Sequence, residues 1–63
     1  MSAYEIGAES ITVRFSTGAL YLYTYRSAGS VNIEKMKLLA AAGEGLNSYI
    51  KRYVNNGYES KLR

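Results

Sequence analysis

Ile11, Val13 and Phe15 alternate with Thr12, Arg14 and Ser16, and beyond Thr17-Gly18 the chain resumes with leucines and tyrosines alternating from Ala19 to Tyr25. A period of two in β-branched and aromatic residues marks half-buried strands. Residues 10–16 and 19–25 are therefore predicted to form a β-hairpin closed by a short glycine turn. The chain has 63 residues, and at that size a fold buries only roughly 60% of the surface its unfolded form exposes. One small domain over 1–63 is the ceiling. A hydrophobic content of 48% against 21% charged residues supports a compact core.

The hairpin's register has two solutions that exchange its faces. With a two-residue loop at Thr17-Gly18, Phe15 faces Leu20 and Val13 faces Leu22, and the tyrosines point outward. With a three-residue loop and Gly18 left-handed, Phe15 faces Ala19 and Val13 faces Tyr21, and the tyrosines join the core. Upstream, Tyr4 and Ile6 give Ser2–Ile6 a weak alternation that reads as a short edge strand.

After Tyr25 the period changes. Residues 26–30 read as a loop, and Asn32 is placed to cap a helix from about 32 to 42, with Glu34 in its first turn. Ile33, Met36, Leu39 and Ala40 form its apolar side, Leu38 lies opposite, and Gly43 ends it. A second helix is expected over about 47–55, capped by Asn47 after the hydrophobic Leu46 and closed by Asn56-Gly57. Its stripe is read as Leu46, Ile50 and Tyr53, flanked by Tyr49 and Val54, with Lys51 and Arg52 facing away. The tail 58–63 is polar and expected to fray, apart from Tyr58.

The side-chain inventory excludes much chemistry. There is no cysteine or histidine, and the only carboxylates are Glu5, Glu9, Glu34, Glu44 and Glu59, scattered along the chain. Thiolate or imidazole catalysis and zinc spacings have no material here, and a paired-carboxylate or hard-metal site has little, so the expectation is a non-enzyme with no metal and no cofactor. No apolar run reaches the roughly 20 residues of a membrane span, and no charged-then-apolar leader opens the chain; a soluble, cytoplasmic protein is expected. The formal charge of +3 is compatible with polyanion binding. Lys51 and Arg52, with Lys61 and Arg63 beyond and Lys35 and Lys37 on the first helix, could present a basic strip to phosphates; solvated helix faces have the same composition. Of the seven tyrosines, Tyr21, Tyr23, Tyr49 and Tyr53 read as packing residues, while Tyr25 and Tyr58 are better placed for contacts such as base stacking. Gly43-Glu44-Gly45 reads as a tight turn between helices before it reads as an anion cradle.

The series Val13-x-Phe15-x-x-Gly18-x-x-Tyr21-x-Tyr23, followed by Gly43-x-Gly45-Leu46-Asn47-Ser48-Tyr49-Ile50, resembles the KTSC domain, a family named for its appearance at the C-terminus of some bacterial lysyl-tRNA synthetases. The resemblance covers about residues 10–55. It implies a small α+β domain, an antiparallel meander of two to three strands followed by two helices, and brings neither a reaction nor a settled ligand. It also selects the three-residue loop, with Tyr21 and Tyr23 on the core side and Leu20 and Leu22 outside. Many relatives carry Val-Pro where this chain has Ser27-Ala28-Gly29-Ser30, and the first strand is unusually short, which puts in doubt any function placed in that loop.

Together these readings point to a small binding module for RNA or single-stranded DNA, with Lys51, Arg52, Tyr58, Lys61 and Arg63 as the expected contacts. The alternatives are a protein-interaction module, such as a phage-encoded accessory or inhibitor, and a small oligomer holding a nucleotide-like ligand between subunits. Leu20, Leu22 and Leu38 are the expected interface residues of a homodimer or a protein partner. Gly18, Gly43, Gly45 and Asn47 are expected to hold turns and caps.

Overall fold

The computed structural model of the protein describes residues 3–63. Strands β1 (Ala3–Ile6), β2 (Ser10–Arg14), β3 (Leu20–Thr24) and β4 (Ser60–Lys61) form one antiparallel sheet in the order β1-β2-β3-β4. Between β3 and β4 run helices α1 (Tyr25–Ala28), α2 (Ser30–Ala42) and α3 (Leu46–Tyr49), the last continuing into a π-helix at Ile50–Val54. The class is α+β, a meander followed by helices, with β4 as a strand beyond the expected two or three. Of the edge strand expected at Ser2–Ile6, Ser2 lies outside the described residues.

The hairpin adopts the register with three loop residues. Val13 pairs with Tyr21 and Arg14 with Leu20, the Phe15 N–H donates to the Ala19 carbonyl at 2.9 Å, and Gly18 sits at φ +92°, a left-handed conformation that costs glycine little. Ile11, Val13 and Tyr23 therefore share the face on which Ile33, Met36 and Ala40 of α2 and Leu46, Ile50 and Val54 of the last helical segment pack. Tyr23 is 2% exposed, and Tyr21 is half-buried beside it. Leu20 and Leu22 fall on the opposite face, which no helix of this core covers, and they are half-buried rather than open.

Several local expectations are corrected. Helix formation begins at Tyr25, inside the segment read as strand end and loop: Thr24 and Ser27 form a reciprocal capping box, the Thr24 side chain accepting from the Ser27 N–H and the Ser27 hydroxyl from the Thr24 N–H, which satisfies two otherwise orphan donors. Asn32 is not a cap. It lies within α2, which starts at Ser30 after Gly29, and its amide donates to the Ala28 carbonyl. Asn47 is not a cap either, because Gly45 takes that position in a left-handed conformation with no side-chain cap bond. The tail does not fray: Lys61 pairs with Tyr21 and Ser60 with Leu22, and the Leu62 N–H donates to the Leu20 carbonyl. Its polar side chains gave no period-two signal, yet the free backbone edge of β3 offers it partners.

Tyr53, placed in the apolar stripe by a helical period, is 60% exposed. The buried positions of the segment are Leu46, Ile50 and Val54, spaced by four. A π-turn takes in one more residue than an α-turn, so Val54 occupies the core position and Tyr53 is carried outward.

Candidate nucleic-acid interface

Four aromatic rings gather where the hairpin, the segment leading into β4 and the π-helix meet. Tyr21 lies 4.6 Å from Tyr58 and 5.6 Å from Phe15 between ring centroids, and Tyr23 meets Tyr58 edge-on at 6.2 Å. Such tilted and edge-to-face arrangements suit the ring quadrupoles. The cluster opens into a cleft of about 640 Å³ whose opposite wall is supplied by Asn47, Ile50, Lys51, Asn55 and Asn56. That volume suits a ligand the size of a nucleotide. No carboxylate lines it.

The cations reach this cleft unevenly. Lys61 places its Nζ 5.9 Å from the Tyr21 ring centroid, because pairing of β4 with β3 puts it on the Tyr21 face. Lys51 lines the opposite wall. Arg52, its neighbour in sequence, belongs to another groove, with Lys35, Tyr49 and Tyr53. The single strip imagined from Lys51, Arg52, Lys61 and Arg63 is thus divided. Arg63 is tied by its backbone to Leu20, while Lys37 is engaged elsewhere, bridging Glu34 at 3.0 Å and donating to the Ala8 carbonyl.

Burial, then the neighbouring Tyr21 and Tyr58, push the Tyr23 phenol up to about 12, so it remains a neutral hydrogen-bonding group at the base of the cleft. Tyr25 belongs to a separate polar cluster. Its hydroxyl donates to Glu34 at 2.5 Å, a bond that raises its own pKa and, with the Lys37 contact second, lowers that of Glu34.

Asn55 ends the π-helix at φ +52°, the one non-glycine residue with positive φ among those described. Tolerating such a conformation is characteristic of Asn. It aims the chain toward Gly57 and Tyr58. Sequence reasoning singled out Tyr58, Lys51 and Lys61, and missed Phe15, Asn55 and Asn56 as lining. Phe15 and Tyr21 looked like core because hairpin alternation does not reveal where the helical layer stops. The Gly43-Glu44-Gly45 turn has its first amide occupied, the Gly43 N–H donating to Leu39 and Ala40, which leaves it a helix terminator.

Leu38 is 68% exposed on the solvent side of α2, which packs against the sheet's other face; the structure does not bring it together with Leu20 and Leu22. Leu62, 49% exposed, joins them by strand alternation. Among the described residues no group of three potential metal-ligating side chains occurs, and no helix is long and apolar enough to cross a membrane. No known protein family, curated protein or solved structure matches the chain.

Proposed function

We propose that the chain is a non-enzymatic, KTSC-like cytoplasmic binding module that holds single-stranded RNA or DNA, with a base against the Tyr21–Tyr58 pair and phosphates on Lys51 and Lys61. The observation that carries this reading is the aromatic cleft lined by Lys51 and three asparagines with no carboxylate, with the Lys61 ammonium 5.9 Å from the Tyr21 ring beside it. Stacking is tolerant of base identity, lysine heads attract the backbone, and asparagine amides both donate to and accept from base edges.

Fluorescence anisotropy with short single-stranded oligonucleotides at low and moderate salt tests the reading. Affinity should fall as salt rises, with each phosphate contact contributing about −0.7 to the logarithmic slope. Lys51→Glu with Lys61→Glu should remove most of the affinity, and Tyr58→Ala should cost roughly 1–3 kcal/mol of binding. Absence of wild-type binding at low salt would reject it in favour of a protein-interaction module.

A second reading rests on the uncovered face of the sheet. Leu20, Leu22 and Leu62 make an apolar row there, and self-association through this face is the homodimer the chain supports; Leu38 is not part of it. Sedimentation of the wild type and of Leu62→Lys would show a dimer that the substitution weakens, and a wild-type monomer at high concentration would remove this reading.

A further inference from the structure

The π-helix has consequences on its outer side. We propose that a bound single strand extends past Lys51, over the π-helix, into a second stacking site formed by Tyr49 and Tyr53 with Lys35 and Arg52, so that the module grips two separated bases. This inference rests on the nucleic-acid reading of the first cleft.

Three observations converge on the second site. Tyr53 is 60% exposed although it lies one residue from the buried Val54, and its ring meets Tyr49 at 4.9 Å with a tilt of 41°. Tyr49 is fixed from behind, its hydroxyl donating to Asn32 Oδ1 at 2.7 Å, which leaves the outer face of the pair for a ligand. The groove between α2 and the π-helix at this point, about 270 Å³, is lined by Lys35, Ser48, Arg52 and both tyrosines, with no carboxylate. Glu34 pairs with Lys37, and among the described residues neither Lys35 nor Arg52 carries a salt bridge that would have to be broken to take a phosphate.

Lys51 and Arg52 are consecutive on the π-helix and diverge around it, Lys51 to the first cleft and Arg52 to the second groove. A phosphate backbone crossing the helix would pass from one cation to the next without meeting an acidic lining residue. Arginine also stacks on planar groups, which a lysine does not. The occupant is therefore a polyanion with planar groups attached at intervals, and single-stranded nucleic acid has that constitution.

A length series of single-stranded oligonucleotides, measured by anisotropy against wild type, Tyr53→Ala, Tyr53→Phe and Tyr58→Ala, tests the proposal. Long oligonucleotides should bind the wild type more tightly than short ones. Tyr53→Ala should weaken long ones by roughly tenfold or more and leave short ones unchanged, Tyr53→Phe should restore long-strand affinity, and Tyr58→Ala should weaken both. The chain contains no tryptophan, so Tyr53→Trp supplies a lone indole, excited at wavelengths where the tyrosines do not absorb, whose emission only long strands should quench. If Tyr53→Ala binds long strands as the wild type does while Tyr58→Ala does not, the second site is rejected and the first survives. Absence of binding at every length rejects both.

Discussion

α2 and the segment from Leu46 to Val54 cover the same sheet face with different periods. In α2 the buried residues are Ile33, Met36 and Ala40, the three-and-four spacing of an α-helix; in the later segment they are Leu46, Ile50 and Val54, spaced by four throughout. The first segment ends on a left-handed Gly43 whose N–H is doubly accepted, and the second starts one turn away on a left-handed Gly45. The extra residue of the π-turn therefore decides which aromatic side chain faces water. A stripe read with one period puts Tyr53 inside; the other puts it in solvent.

The largest test of the contrast lies at the stripes themselves. Ile33→Ala and Ile50→Ala should each lower stability by roughly 2–5 kcal/mol in chemical denaturation, since both residues are almost wholly buried. If Tyr53→Ala costs as much, the four-residue spacing is wrong and the two segments share one period.

Next comes the residue in the same core as both segments. Tyr23 has its pKa raised to about 12 by burial first and by Tyr21 and Tyr58 after it, so the folded form holds its proton where the unfolded chain has lost it. Its contribution is complete below about pH 10 and declines as pH rises toward 12, by roughly 2 kcal/mol in all. Stability measured across that range should fall for the wild type more steeply than for Tyr23→Phe.

The junction between the segments gives a smaller effect. Gly45→Ala should cost roughly 1–2 kcal/mol because alanine is strained at a left-handed φ; a Cβ there would meet Leu39 Cδ2 only at an ordinary 3.6 Å. Asn47→Ala should change the unfolding midpoint little, by about 0.5 kcal/mol or less, and a larger loss would restore Asn47 as the cap. Smallest of all is Tyr53→Ala, expected within about 0.5 kcal/mol of the wild type.

The hairpin was legible because period-two alternation on either side of a glycine turn describes two paired strands, whereas its register was open between two loop lengths until the family resemblance favoured the three-residue loop that the structure shows. The helices were legible as apolar clusters, but their starts were not: Asn32 and Asn47 have the right chemistry for caps, while Thr24, Gly29 and Gly45 hold those positions through backbone geometry and a local hydrogen-bond exchange. β4 escaped notice because two polar residues carry no pattern and depend on an edge formed some forty residues earlier. Of the candidate site, Tyr58 and Lys51 could be singled out by residue type. Their meeting with Phe15 and Tyr21 is a product of tertiary assembly, and a π-bulge has no signature in side-chain spacing until the burial of Val54 is known.

The late placement of β4 also sets an order of events for the folding chain. Strands β1 to β3 close through short separations and can form on the microsecond scale of hairpins, whereas Lys61 must find Tyr21 forty positions away, a slower search with a larger loop-closure cost. Tyr58 enters the aromatic cluster on that last step, because it lies only two residues before the strand. A partly folded molecule would thus hold nearly all of its core and none of its finished cleft, so ligand capture would report completed folding, and amide exchange at Leu20 and at Leu62 would mark the same event.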